Sequence, residues 1–117
     1  MIMTAPEFVG FLLDQLDGVP DVRAQRMFAG FGLYSGDLFF GIVYDGMLYF
    51  KVNDESRRDY VRARMKPFKP YKNRPMTMKY YQVPVAVMED ADELCRWARR
   101  AIAAAEKKHH QTPGTSR

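Results

Sequence analysis

Few residues in this chain offer ready chemistry: Cys95, the adjacent pair His109 and His110, and an acidic cluster of Glu89, Asp90, Asp92 and Glu93. A thiol needs an activating base beside it to act as a nucleophile. No histidine lies near Cys95 in a segment that reads as folded, so Cys95 reads as a small apolar packing residue. The histidines fall in a polar tail, where a general base has no fixed position within reach of a proton. Adventitious metal binding is the chemistry left to them. The four carboxylates stand where a helix begins, and acids there favour its positive end. A single cysteine excludes an internal disulfide and any multi-cysteine metal site. No catalytic, cofactor or metal residue is assigned.

A second kind of chemistry is recognition by a surface. Tyr49 and Lys51 on one strand, and Lys79 and Tyr81 on another, are expected on one outward sheet face, with Arg26 as a candidate neighbour. Aromatics interleaved with cations can stack bases and neutralise phosphates. The competing readings are packing against the second helix and contact with a second copy of the chain. Charge is also uneven. In residues 1–50 six acids against two bases leave −4, and in 51–117 sixteen bases against eight acids leave +8. Nine bases fall between Arg57 and Lys79, opposed by Asp59 alone. Such asymmetry points to a polyanionic partner or to a plain solvated surface. Arg62, Arg64 and Lys69 are the residues of this stretch expected to carry nucleic-acid contact.

These side chains need a frame, and the centre of the frame is RMFAGFGLYSGDLFFGIVYDGMLYFKV, Arg26 to Val52. It reads as three short strands with turns at Ser35-Gly36-Asp37 and Asp45-Gly46, the latter a strong two-residue hairpin signal. Leu38, Phe40, Ile42 and Tyr44 are expected on one side of the middle strand and Phe39, Gly41 and Val43 on the other. Leu48, Phe50 and Val52 should face the core. The Gly30-Phe31-Gly32 segment suggests a bulge or close backbone approach rather than a phosphate loop, since the Lys-Ser/Thr ending of such loops is missing.

Around that frame, Thr4 and Glu7 form a capping-box spacing, followed by a helical stripe of Phe8, Val9, Leu12, Leu13 and Leu16. Phe11 lies outside the stripe and suggests an exposed ring or a partner contact. Asn53 caps a second, peripheral helix with a thin apolar face of Tyr60, Val61 and Met65. Lys66 to Pro75, with three prolines, reads as an edge strand or extended loop. Met76 to Val83 is a further strand. Asp90 or Asp92 starts the last helix, whose stripe is Leu94, Trp97, Ala98, Ala101, Ile102 and Ala105. Residues 109–117 are expected to be a disordered tail.

A chain of 117 residues is one domain's worth, here 1–108. The N-terminus lacks the basic start of a signal peptide, and no apolar run reaches the roughly 18 residues of a membrane span. The expectation is a cytoplasmic protein without membrane contact.

The ordered set RMFAGFGLY, DLFFGIVYDGMLYFKV, PFKPY, MKYYQVP and LCRWARRAI resembles the N-terminal domain of the TfoX/Sxy family, over roughly Phe8 to Ala105. The resemblance implies an α+β domain in helix–strands–helix–strands–helix order, with a mainly antiparallel sheet and the first and last helices packed on it. Two-domain members regulate natural competence in bacteria as transcriptional co-activators alongside a cyclic-AMP receptor protein, and carry a second, helical domain. The sequence stops at Arg117 without it, so the expected match is a stand-alone first domain. Together these readings describe a small non-enzymatic regulatory module acting through protein–protein contact or self-association. The alternative is direct nucleic-acid binding through the basic 57–79 segment.

Overall fold

The computed structural model describes residues 3–27, 29–69 and 79–114, with side chains followed as far as Glu106. The expected strand from Met76 therefore falls partly outside the described residues, as do the side chains of the 109–117 tail.

Helix α1 (Ala5–Gln15) begins with a reciprocal capping box: the Glu7 N–H donates to Thr4 Oγ1 at 3.2 Å, and the Thr4 N–H donates to Glu7 Oε1 at 2.8 Å. Two orphan amides of the first turn are thereby satisfied. Strands β1 (Val22–Met27), β2 (Gly30–Ser35), β3 (Leu38–Tyr44) and β4 (Met47–Lys51) form an antiparallel meander. Asp45 and Gly46 both take positive φ, 53° and 75°, as a tight hairpin turn with the right twist requires. Helix α2 (Asp54–Arg62) follows, capped by Asn53, and β5 (Tyr80–Gln82) then pairs with β4 to complete a five-stranded sheet in the order β1-β2-β3-β4-β5. A short helix α3 (Val85–Met88) and a long helix α4 (Ala91–Gly114) close the chain. The order and the α+β class agree with expectation; α3 is an addition. Asp90 Oδ1 accepts from the Glu93 N–H at 3.1 Å, so Asp90 caps the last helix.

The helices share one face of the sheet. Val9, Leu12 and Leu16 of α1, Tyr60 of α2, Val87 of α3, and Leu94, Ala98 and Ala101 of α4 bury themselves against Leu33, Val43, Leu48 and Phe50. A one-sided sheet should alternate apolar-in and polar-out. Here Tyr34, Phe39, Tyr44, Tyr49 and Tyr80 put aromatic rings at outward positions on four of the strands.

Two local expectations are corrected, and the edge-strand reading holds over residues 66–68. Phe40 and Val43 both face the core, because a register shift at Leu33/Tyr34 pairs Leu33 with Gly41 and Tyr34 with Phe39, leaving Phe40 as the extra residue. One inserted residue reverses the two-residue alternation beyond it. Phe39 consequently joins Ile42 and Tyr44 on the outer face. Helix α2 is less peripheral than its thin stripe suggested: Tyr60 is fully buried and Val61 is 55% exposed. Finally, residues 66–68 run along the free edge of β5. The Phe68 N–H donates to the Tyr80 carbonyl at 2.8 Å, and the Gln82 N–H donates to the Lys66 carbonyl at 2.9 Å. Pro67, lacking an N–H, bridges to Tyr81 between them.

Candidate functional site

The outer face of the sheet carries a row of side chains that crosses all five strands at one end. Arg23 pairs with Tyr34, Tyr34 with Phe39, and Lys51 with Tyr80. The Arg23 guanidinium lies 4.6 Å from the Tyr34 ring centre, Tyr34 and Phe39 are 5.1 Å apart, Phe39 and Tyr80 are 5.8 Å apart, and Lys51 Nζ is 5.0 Å from the Tyr80 ring. The sequence along the row is therefore cation, ring, ring, cation, ring. Gly32 supplies the floor: a Cβ there would come within 2.8 Å of both Met27 Sδ and Phe39 Cε1. A second ring cluster occupies the other end, where Phe68 meets Tyr44 edge-on at 5.6 Å and Tyr49 at 4.8 Å.

Lys51 is the unusual member. It is 8% exposed, and among the described residues it makes no ion pair with a carboxylate. Burial, with the Lys79 charge added, pulls its ammonium below the ordinary lysine range. Burial also pushes the Tyr80 phenol up to about 12, with Tyr34 adding to it. Tyr49 is raised by burial first, then by Asp45 and Tyr44.

The structure brings together some of the sequence-predicted residues and separates others. Tyr49 and Lys51 lie on the outer face as expected. Tyr81 does not. It pairs with Phe50, is 3% exposed, and packs its ring 6.0 Å from Tyr60 on the helix side. The register that sets Lys51 opposite Tyr80 must turn the next residue inward, so Tyr80 holds the place expected of Tyr81. Lys79 is exposed and directly precedes β5. Arg26 sits on the opposite face, opposed to Phe31 with its guanidinium 4.8 Å from that ring. Arg62 and Arg64 are exposed at the end of α2, and Lys69 is exposed just beyond Phe68. Arg62 is paired with Asp59 at 3.0 Å, and the same carboxylate holds Arg100 at 2.6 Å. Much of the positive charge on the helices is thus neutralised locally.

Two of the acids at the start of α4, Asp90 and Glu93, have structural partners. Glu93 accepts from Arg96 at 2.6 Å and from the Trp97 indole N–H at 3.1 Å. Cys95 is buried, its Sγ 3.4 Å from the Gln15 carbonyl.

A second surface lies in the helical layer. Met3, Phe8, Phe11, Gln15, Val85, Met88 and Glu89 line a groove of about 500 Å³ between α1 and α3. The Gln15 side-chain amide donates to the Met88 carbonyl at 2.9 Å and ties the two helices together. Phe11 was marked by its position outside the stripe. Val85 and Met88 were not, because α3 follows Pro84 too briefly for a helical period to show.

The sheet and its one-sided helical layer define a small α+β domain. A family model for the TfoX N-terminal domain matches residues 14–105, and the chain belongs to that family. No curated protein matches the chain. Among the described residues no helix is long and apolar enough to cross a membrane.

Proposed function

We propose that the chain is a non-enzymatic regulatory module that acts by protein–protein contact, docking an apolar segment with a basic flank from a partner protein between α1 and α3. The observation that carries this reading is the groove. Val85 is 57% exposed and Met3 nearly half exposed on its walls, with Phe8, Phe11 and Met88 forming the floor. An apolar cleft between helices suits an amphipathic helix offering anchors at i, i+3 or i+4. Glu89 is the charged side chain that lines it, and Glu7 and Asp14 flank its α1 wall in sequence, so the electrostatics favour a cationic flank. The family's two-domain members, which work beside another transcription protein, fit such a role.

A photoreactive phenylalanine analogue at position 85, with position 61 as the exposed control, tests this reading. The expected result is crosslinking to one protein from position 85 alone. That protein, purified, should bind the chain with a negative heat-capacity change, and Val85→Glu should weaken binding at least roughly tenfold. Equal crosslinking from both positions, or an indifferent Val85→Glu variant, removes the groove from consideration. A crosslinked homodimer replaces the foreign partner with a second copy.

A further inference from the structure

We propose that the outer face of the sheet is a platform for single-stranded nucleic acid, with bases stacked on Tyr34, Phe39 and Tyr80 and phosphates drawn to Arg23 and Lys51. This surface lies away from the α1–α3 groove, and the inference stands independently of the groove's role. Three observations carry it. The rings run in a row rather than a scatter, each 5.1–5.8 Å from the next. Cations are interleaved with them at 4.6 Å and 5.0 Å from ring centres. Lys51 is more than nine-tenths buried within this face, and neither it nor Arg23 has a carboxylate partner among the described residues.

A charge held in a half-apolar surface without a counterion costs free energy. An arriving phosphate supplies the missing counterion. Bases suit the rings because every base has a π-face, and stacking on aromatics tolerates any sequence. A second copy of the chain fits less well, since a face-to-face pair would bury two copies each of Arg23 and Lys51 with no carboxylate from either row to offset them. A duplex also fits less well, because its bases are already stacked on each other. Four strand-to-strand steps of about 4.8 Å carry the row roughly 19 Å, room for about four nucleotides.

The test uses the full chain and fluorescein-labelled 12-mers of thymidylate and adenylate, read by anisotropy at about 20 mM salt, with a duplex of equal length as competitor. Single strands should bind and displace the duplex. Tyr80→Ala should weaken binding roughly tenfold or more. Lys51→Met should weaken it and flatten the log K against log salt slope by about 0.7. Because Tyr80→Ala could disturb the sheet, Lys51→Met is the deciding variant: it removes a poorly solvated charge while keeping the apolar stem. The double variant Arg62→Glu/Arg64→Glu, at the C-terminal end of α2 and just beyond it, should leave the single-strand preference intact. The proposal is overturned by an absence of binding at about 100 μM protein, by equal affinity for duplex, or by insensitivity to Lys51→Met alongside loss in the α2 variant. A dimer that Tyr80→Ala dissociates also overturns it.

Discussion

The Tyr60 ring stands edge-on to the Trp97 indole, their centres 4.7 Å apart and their planes at 75°. This contact joins α2 to α4, and Tyr81 extends it into the sheet at 6.0 Å from Tyr60. Edge-to-face geometry sets the positive rim of one ring against the negative face of the other. Tyr60→Ala should therefore cost about 3–5 kcal/mol by chemical denaturation. A double-mutant cycle with Trp97→Ala should return a coupling of about 0.5–1.5 kcal/mol. Additive single losses would mean that the two rings pack independently.

Burial holds the Tyr60 phenol above its ordinary range, outweighing the lowering effect of Arg100, and places Tyr80 at about 12. Both should make the fold sensitive to alkali. Below pH 10 the folded and unfolded chains carry the same phenolic protons, and the stabilisation is complete. Above pH 10 the unfolded chain releases protons that the folded chain keeps, so stability falls, and each such tyrosine contributes a slope of about 1.4 kcal/mol per pH unit. Urea midpoints between pH 9.5 and 12 should decline, and Tyr60→Phe should flatten the decline. A midpoint that Tyr60→Phe leaves equally steep would place the sensitivity elsewhere.

Much of this frame was legible in the sequence, and the exceptions share a cause. Asp45-Gly46, the Thr4–Glu7 box and the Leu94–Ala98–Ala101 stripe are local signals, each complete within a few residues, and all three appear as read. Phe40 was misassigned because the bulge depends on how β3 meets β2, which no single strand encodes. Tyr81 was placed outward because strand alternation gives two phases and only pairing with Phe50 chooses between them. Val61 and Tyr60 look alike in an apolar count, yet the turn of about 100° between consecutive helical residues separates an exposed valine from the core tyrosine. The Arg23–Tyr80 row was invisible for the same reason: it runs across strands, perpendicular to the direction in which a sequence is read.

Asn53 and Ser56 form the second reciprocal cap. The Ser56 N–H donates to Asn53 Oδ1 at 2.8 Å, and the Asn53 N–H donates to Ser56 Oγ at 3.0 Å. Since α2 is only nine residues long, propagation alone holds it poorly and the cap carries weight. Asn53→Ala should cost about 1 kcal/mol and raise amide exchange in the first turn of α2 before it affects β3. Uniform exchange across the domain would show that α2 opens only with the whole fold.

Two glycines separate close approach from mere smallness. At Gly30 a Cβ would clash with the Val43 carbonyl oxygen, a backbone atom fixed by the β2–β3 ladder. No rotamer change can relieve that clash, so Gly30→Ala must either displace β2 from β3 or break the pair of residues at the end of the ladder. At Gly10, in the middle of α1, a Cβ meets nothing within 4 Å. Alanine there removes unfolded-chain freedom and gains helix propensity, so Gly10→Ala should stabilise by about 0.5–1 kcal/mol. Gly30→Ala should destabilise by more than that gain and should shift the amide signals of Phe31 and Val43 most. The two variants, opposite in sign at the same chemical change, test whether the tight seam between β2 and β3 is where the sheet tolerates least. If Gly30→Ala proved neutral with those signals unmoved, the strands would have to lie farther apart than this register sets them.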